Sequence, residues 1–159
     1  MPKFQKGVAL VEFALILPLL LILTFITTEY ARAMYEYNSL AKSVRNAARY
    51  LSTKGYGPTG CLTTKLAYHI TATNIAVYGN PAASGQPLAR GLSPSNISAG
   101  DICYATTTTS VPTIRTVTIR ISGYTFQSLF TSVTGLRWGN FTFGNINFED
   151  IAATMRVMT

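Results

Sequence analysis

Charge is scarce in this chain. Only 12% of its 159 residues are Asp, Glu, Lys or Arg, about half the share usual in soluble domains. Mean hydropathy is positive at +0.25, so part of the molecule avoids water. Groups that could do chemistry are scarcer still. Beyond the N-terminal apolar run there is one histidine, His69, and the carboxylates are Glu29, Glu36, Asp101, Glu149 and Asp150. An active site needs a convergent set of acids, bases or nucleophiles, and adjacent Glu149 and Asp150 would face opposite sides of a strand. His69 falls on or beside an apolar helical face and reads as a packed or surface residue, because a ligand or base needs partners. The sequence has no phosphate-binding loop and no nucleophile motif. It reads as non-enzymatic, with no cofactor.

Cysteine is nearly absent too. Cys61 and Cys103 have no neighbouring His or further Cys to complete a zinc set. In an oxidising compartment they would form one disulfide, closing a loop of about 42 residues and restricting the unfolded chain by roughly 3 to 4 kcal/mol. In a reducing one they would be two buried thiols. Acidic residues fall short of basic ones, six against 13, for a net charge of +7. That sign suits nucleic acid, but the distribution does not. Lys3 and Lys6 precede the apolar run, Arg32, Lys42, Arg45, Arg49 and Lys54 follow it, and the rest are scattered singly. No nucleic-acid partner is expected.

What is present is a long apolar run. Val8 to Ile26, VALVEFALILPLLLILTFI, contains one charge, Glu12, and one proline, Pro18. As a helix it rises roughly 28 Å, enough to cross the hydrocarbon of a bilayer. The leader MPKFQKG is cationic, which places it on the cytoplasmic side and the remainder outside. A secretory signal peptide is the rival reading, because Ala31-Arg32-Ala33 resembles a small-x-small cleavage site. Against it, the run is long, carries a carboxylate and continues in helical pattern past Ala33.

Tyr30, Met34, Tyr37, Ala41, Val44, Ala48 and Leu51 recur at alternating steps of four and three, one face of a helix reaching about Lys54. That face predicts packing on the chain's own sheet, or between subunits. Lys42, Arg45 and Arg49 form a separate basic stripe, by default solvated. Gly55-Tyr56-Gly57-Pro58 then stops the helix. Glu12 needs a reason, since a carboxylate in an apolar helix costs several kcal/mol unless it finds a partner. If the chain is cut between Gly7 and Val8, the new Val8 ammonium lies about 6 Å along the axis from Glu12. In a bundle of staggered parallel copies it can meet the Glu12 of a neighbour. Wrong registers leave buried charges unpaired, so the pair specifies stagger.

Farther on, Leu62 to Tyr78 has helical spacing and residues 79–100 read as an exposed loop. Ile102 to Thr109, Ile114 to Phe126 and a last segment with Ile151, Ala153, Met155 and Val157 read as strands. The last should pair with the strand ending near Phe126. Phe130, Trp138, Phe141, Phe143 and Phe148 fill a Gly- and Asn-rich stretch, as core residues or as an adhesive surface.

The N-terminal residues resemble type IV pilin-like precursors: a basic leader ending in Gly7, then Val8, with Glu12 fifth in the apolar helix and aromatic Phe13 next. Val8 stands where phenylalanine is usual. The fuller string from Gly7 to Ser52, and VEFALILPLLL and AARY within it, is similar to the TadE-like family, minor pilin-like components of the tight-adherence (Tad, or Flp) pilus system. The resemblance implies cleavage after Gly7 by a prepilin peptidase, a filament-register role for Glu12 and Phe13, and partnership with the inner membrane, other pilin or pseudopilin subunits and the pilus assembly platform. It places the head in the periplasm or outside. The alternative is an anchored adhesin or envelope binding protein that never polymerises.

The fold class expected is α+β: a long pilin-like transmembrane helix whose second half packs on a small antiparallel β-sheet domain with a second helix. The segments are leader 1–7, transmembrane helix 8–27, its extracytoplasmic continuation 28–54, and an α+β head 55–159.

Overall fold

The structure, a computed structural model, describes residues 5–55, 57–107, 113–129 and 146–158. Lys3 of the leader and the aromatic residues Phe130, Trp138, Phe141 and Phe143 lie outside them. The architecture is α+β, as the pattern predicts. Helix α1 spans Gln5–Ser52, 48 residues, or about 72 Å at 1.5 Å per residue. It starts three residues before Val8 and runs through Pro18. Its apolar half is exposed along its length, and it alone among the described residues is long and apolar enough to cross a membrane.

The second half of α1 lies on a four-stranded antiparallel sheet ordered β1-β2-β3-β6, with β1 Gly60–Cys61, β2 Ile102–Thr107, β3 Ile114–Ile121 and β6 Ile151–Arg156. Val117, Ile119 and Ile121 turn inward from β3, while Arg120 between them stays exposed. The last strand does pair with β3, Ile121 opposite Ile151. The expected long strand to Phe126 is broken, however. At Gly123 the backbone turns left-handed, φ 63°, and Ser122 donates its N–H to the Asn96 carbonyl at 2.8 Å. Thr125–Phe126 then becomes β4, paired with β5, Ile146–Asn147, in a separate two-stranded sheet.

Helix α2 spans Ala67–Tyr78, not Leu62 to Tyr78. Residues 60–62 join the sheet edge instead, with Leu62 buried and its N–H bonded to the Ile102 carbonyl at 3.0 Å. His69, fully buried, makes the new start possible: its Nδ1 accepts the Leu66 N–H at 3.0 Å, the job a Glu or Gln does in a capping box. Segment 79–100 is also more than an exposed loop. Ala89, Leu92 and Ile97 are buried, and two 3-10 turns at Pro94–Asn96 and Ala99–Asp101 bring the chain back to β2. Composition reports turns, but a few apolar residues among them suffice to anchor the segment to the core.

The stripe on α1 is only half right. Val44, Ala48 and Leu51 are buried, whereas Tyr30, Met34 and Tyr37 are exposed, and Ala33, Leu40 and Ala47 face the head instead. Steps averaging 3.5 residues drift about 20° per heptad on a straight helix, so over three heptads the stripe rotates by about 60°. Lys42, Arg45 and Arg49 are solvated, as expected. Cys61 and Cys103 are directly opposed on β1 and β2 and form a disulfide.

Candidate functional site

Two groups of residues on α1 stand apart from core packing. The first is the N-terminal set. Gly7, Val8, Val11, Glu12 and Leu15 lie on one helix face and line a shallow open groove. The Gly7–Val8 bond is in the first turn of α1, where few intrahelical hydrogen bonds hold the backbone. Nothing lies within 4 Å of where a Cβ on Gly7 would be. Phe13 is exposed on the far side of Glu12. Among the side chains that are described, those from Gly7 on, no cation stands within ion-pair distance of Glu12. The sequence-predicted set is thus gathered at one end of the rod, well before Glu29, where the head begins to cover α1.

The second group lies where the apolar run ends. Glu29 is only 7% exposed, 3.5 Å from Arg32 one turn on, and accepts the Leu129 N–H at 3.3 Å. Arg32 donates to the Gln127 carbonyl, and its guanidinium lies 4.5 Å from the Phe126 ring centre. One turn higher, the Tyr124 hydroxyl is 3.0 Å from Glu36 Oε2 and 3.2 Å from the Arg90 carbonyl oxygen. Burial, then the Glu36 hydrogen bond and charge, push this phenol above the usual tyrosine range. The collar so formed fixes the lower edge of the head to α1. Sequence reading treated Glu29 and Arg32 only as charges flanking the span; the signal available was an opposite-charge i,i+3 pair directly after an apolar run.

The family model of TadE-like proteins matches residues 7–49. The match lies wholly within α1 and takes in both groups' helical members, Gly7, Val8, Glu12 and Phe13 as well as Glu29, Arg32 and Glu36. TadE-like proteins are structural, pilus-associated proteins of Tad systems, and the long exposed apolar helix fits a membrane anchor. The head after residue 49 lies outside the TadE-like match. No curated protein and no solved structure matches the chain.

Elsewhere the polar clusters are structural. Asp101 is buried, with Ser98 N–H at 2.7 Å, Ser98 Oγ at 2.6 Å, Ser122 Oγ at 3.1 Å and Arg120 Nε at 2.8 Å. Burial alone would raise its pKa, but these donors hold it below the ordinary value. The cluster ties the second 3-10 turn to β3, and each of its carboxylate oxygens is occupied. Among the described residues no group of His, Cys, Asp and Glu is placed to hold a metal ion.

Proposed function

We propose that this chain is a minor pilin or pseudopilin of a Tad-type pilus, held in the bacterial inner membrane by α1 with its head outside. A prepilin peptidase cuts it between Gly7 and Val8, and the matured helix then packs among sister helices in the filament or at its tip. The observation that carries the reading is Glu12: a carboxylate in an exposed apolar helix, without an ion-pair partner among the described side chains, about one and a half turns after a glycine that ends a basic leader, within a TadE-like match. In lipid or in a helix bundle such a group demands a cation, and the ammonium freed on Val8 supplies one. The Glu29 to Leu51 half of α1 supports retention of the whole helix. A signal-peptide cut after Ala33 would remove Glu29, Arg32 and the buried Ala33 from the head.

Mass spectrometry of the protein from cells with active peptidase tests the processing, and Val8 is the expected first residue. Replacing Glu12 by Ala should leave membrane insertion intact and strongly reduce recovery of the protein in sheared pili. Normal incorporation of Glu12→Ala would reject the register role of that residue, and an intact Met1 together with absence of the unaltered protein from sheared pili would reject the reading in favour of an anchored protein that does not polymerise.

A further inference from the structure

The lower rim of the head carries apolar side chains that the described residues leave uncovered. Leu129 is 56% exposed although its N–H is bonded to Glu29. Ile146, paired with Phe126 in the small sheet, is 43% exposed, and Tyr30 on α1 is 63% exposed. Their height is fixed by the contacts already described. Glu29 lies about 4.5 Å, and Arg32 about 9 Å, beyond Ile26, the last residue of the apolar run. The headgroup zone on each side of a bilayer is about 5 to 7 Å deep. Leu129 and Tyr30 are therefore level with the headgroups if the run fills the hydrocarbon layer, and Ile146, at the Arg32 level, lies at their outer edge.

We propose that the head rests directly on the outer face of the membrane, with Tyr30 and Leu129 seated among the headgroups and Ile146 at their outer edge. The proposal rests on the reading of α1 as a membrane span. Three observations favour lipid over water or a second copy as the occupant. The rim follows closely on the exposed span: only Thr27, Thr28 and the covered Glu29 separate Ile26 from Tyr30, and both threonine hydroxyls donate to the Thr24 carbonyl. A tyrosine at this height is the side chain suited to the interface, with its ring in the apolar zone and its hydroxyl in the wet one. Glu29 and Arg32, the charges at that level, are turned inward: Glu29 is covered by the backbone at Leu129, and Arg32 lies against Phe126 and the Gln127 carbonyl. A rim built to face water would show those charges and hide the leucine. This one does the reverse.

The test uses the full chain reconstituted in phosphatidylcholine vesicles, with an environment-sensitive fluorophore on one added thiol, the native cysteines being bonded to each other. Leu10→Cys reports the span, Leu129→Cys and, independently, Ile146→Cys the rim, and Lys54→Cys the far end of the head. Lipids carrying a quencher near the headgroup or deep in the chains give the depth. The expected result is deep quenching at position 10, shallow quenching at 129 and 146, and none at 54. Rim probes as water-exposed as position 54, with position 10 still quenched, overturn the proposal and leave the anchor standing. If position 10 is itself unquenched, the membrane span fails and the proposal with it. Rim probes shielded only at high protein-to-lipid ratio, and exposed on dilution into excess lipid, assign the rim to a second copy and also overturn it.

Discussion

At His69 the two ring nitrogens have separate tasks. Nδ1 accepts the Leu66 N–H, so the proton resides on Nε2, which donates toward the Tyr104 hydroxyl at 3.1 Å. Burial lowers the pKa of His69 below its ordinary 6.5, and the nearby Lys65 charge lowers it further. Protonation would also turn the cap's acceptor into a second donor facing an N–H. Because the folded-state pKa is depressed, the unfolded chain binds the proton more readily. Stability is full above about pH 6.5 and falls as pH drops from there through the lower folded value. Melting of the head followed by circular dichroism should therefore shift to lower temperature between pH 7.5 and 5. His69→Gln, which keeps an acceptor for the cap, should flatten that dependence; an unchanged slope would place the acid sensitivity elsewhere. Asp101, held low by its donors, adds a second loss only below about its ordinary 3.8. His69 was legible as a packed residue because it falls on or beside an apolar helical face, but its capping role depends on where α2 begins.

Helix α1 is one element with two solvents. Leu40 is fully buried between α1 and the head, whereas Leu23 is exposed on the apolar half. Leu40→Ala should destabilise the head by about 2 to 5 kcal/mol, the usual result of deleting a buried leucine side chain. Leu23→Ala should change head stability by less than about 0.5 kcal/mol, because it makes no contribution to that core. Denaturant unfolding in detergent, monitored by the head's own signal, compares the two. Equal losses would mean that the apolar half belongs to the head's cooperative unit. The existence and length of α1 were legible because nineteen apolar residues and a continuing heptad-like pattern leave few alternatives. Its buried face was not, since a 3.5-residue pattern and a 3.6-residue helix part company over three heptads. For α2 the failure was of another kind. Leu62 and Leu66 fit the helical spacing, but the Cys61–Cys103 bond and the Leu62 N–H draw that segment into the sheet.

For the molecule as a whole, the core list decides what can be removed. The buried apolar residues begin at Ala33 and none lies in the run from Val8 to Ile26. A fragment 27–159 keeps Glu29, Arg32, the sheet and the disulfide, so it should fold, with a melting temperature within a few degrees of the full chain. It should also partition into water without detergent. A fragment starting at residue 34 loses the Glu29 and Arg32 part of the collar and should melt lower; equal melting of the two would assign that part no role in stability. Sequence alone determined the apolar span with its embedded Glu12, the scarcity of catalytic groups, the α+β pattern and the pairing of the last strand with β3. These follow from composition and from local periodicity, which each segment carries within itself. Only the tertiary structure decided which face of α1 meets the head, where α2 starts, that residues 79–100 are anchored, and that Glu29 and Arg32 turn inward while Leu129 turns out. Each of these depends on a partner distant in sequence, and the choice among local options of similar energy is made by that partner.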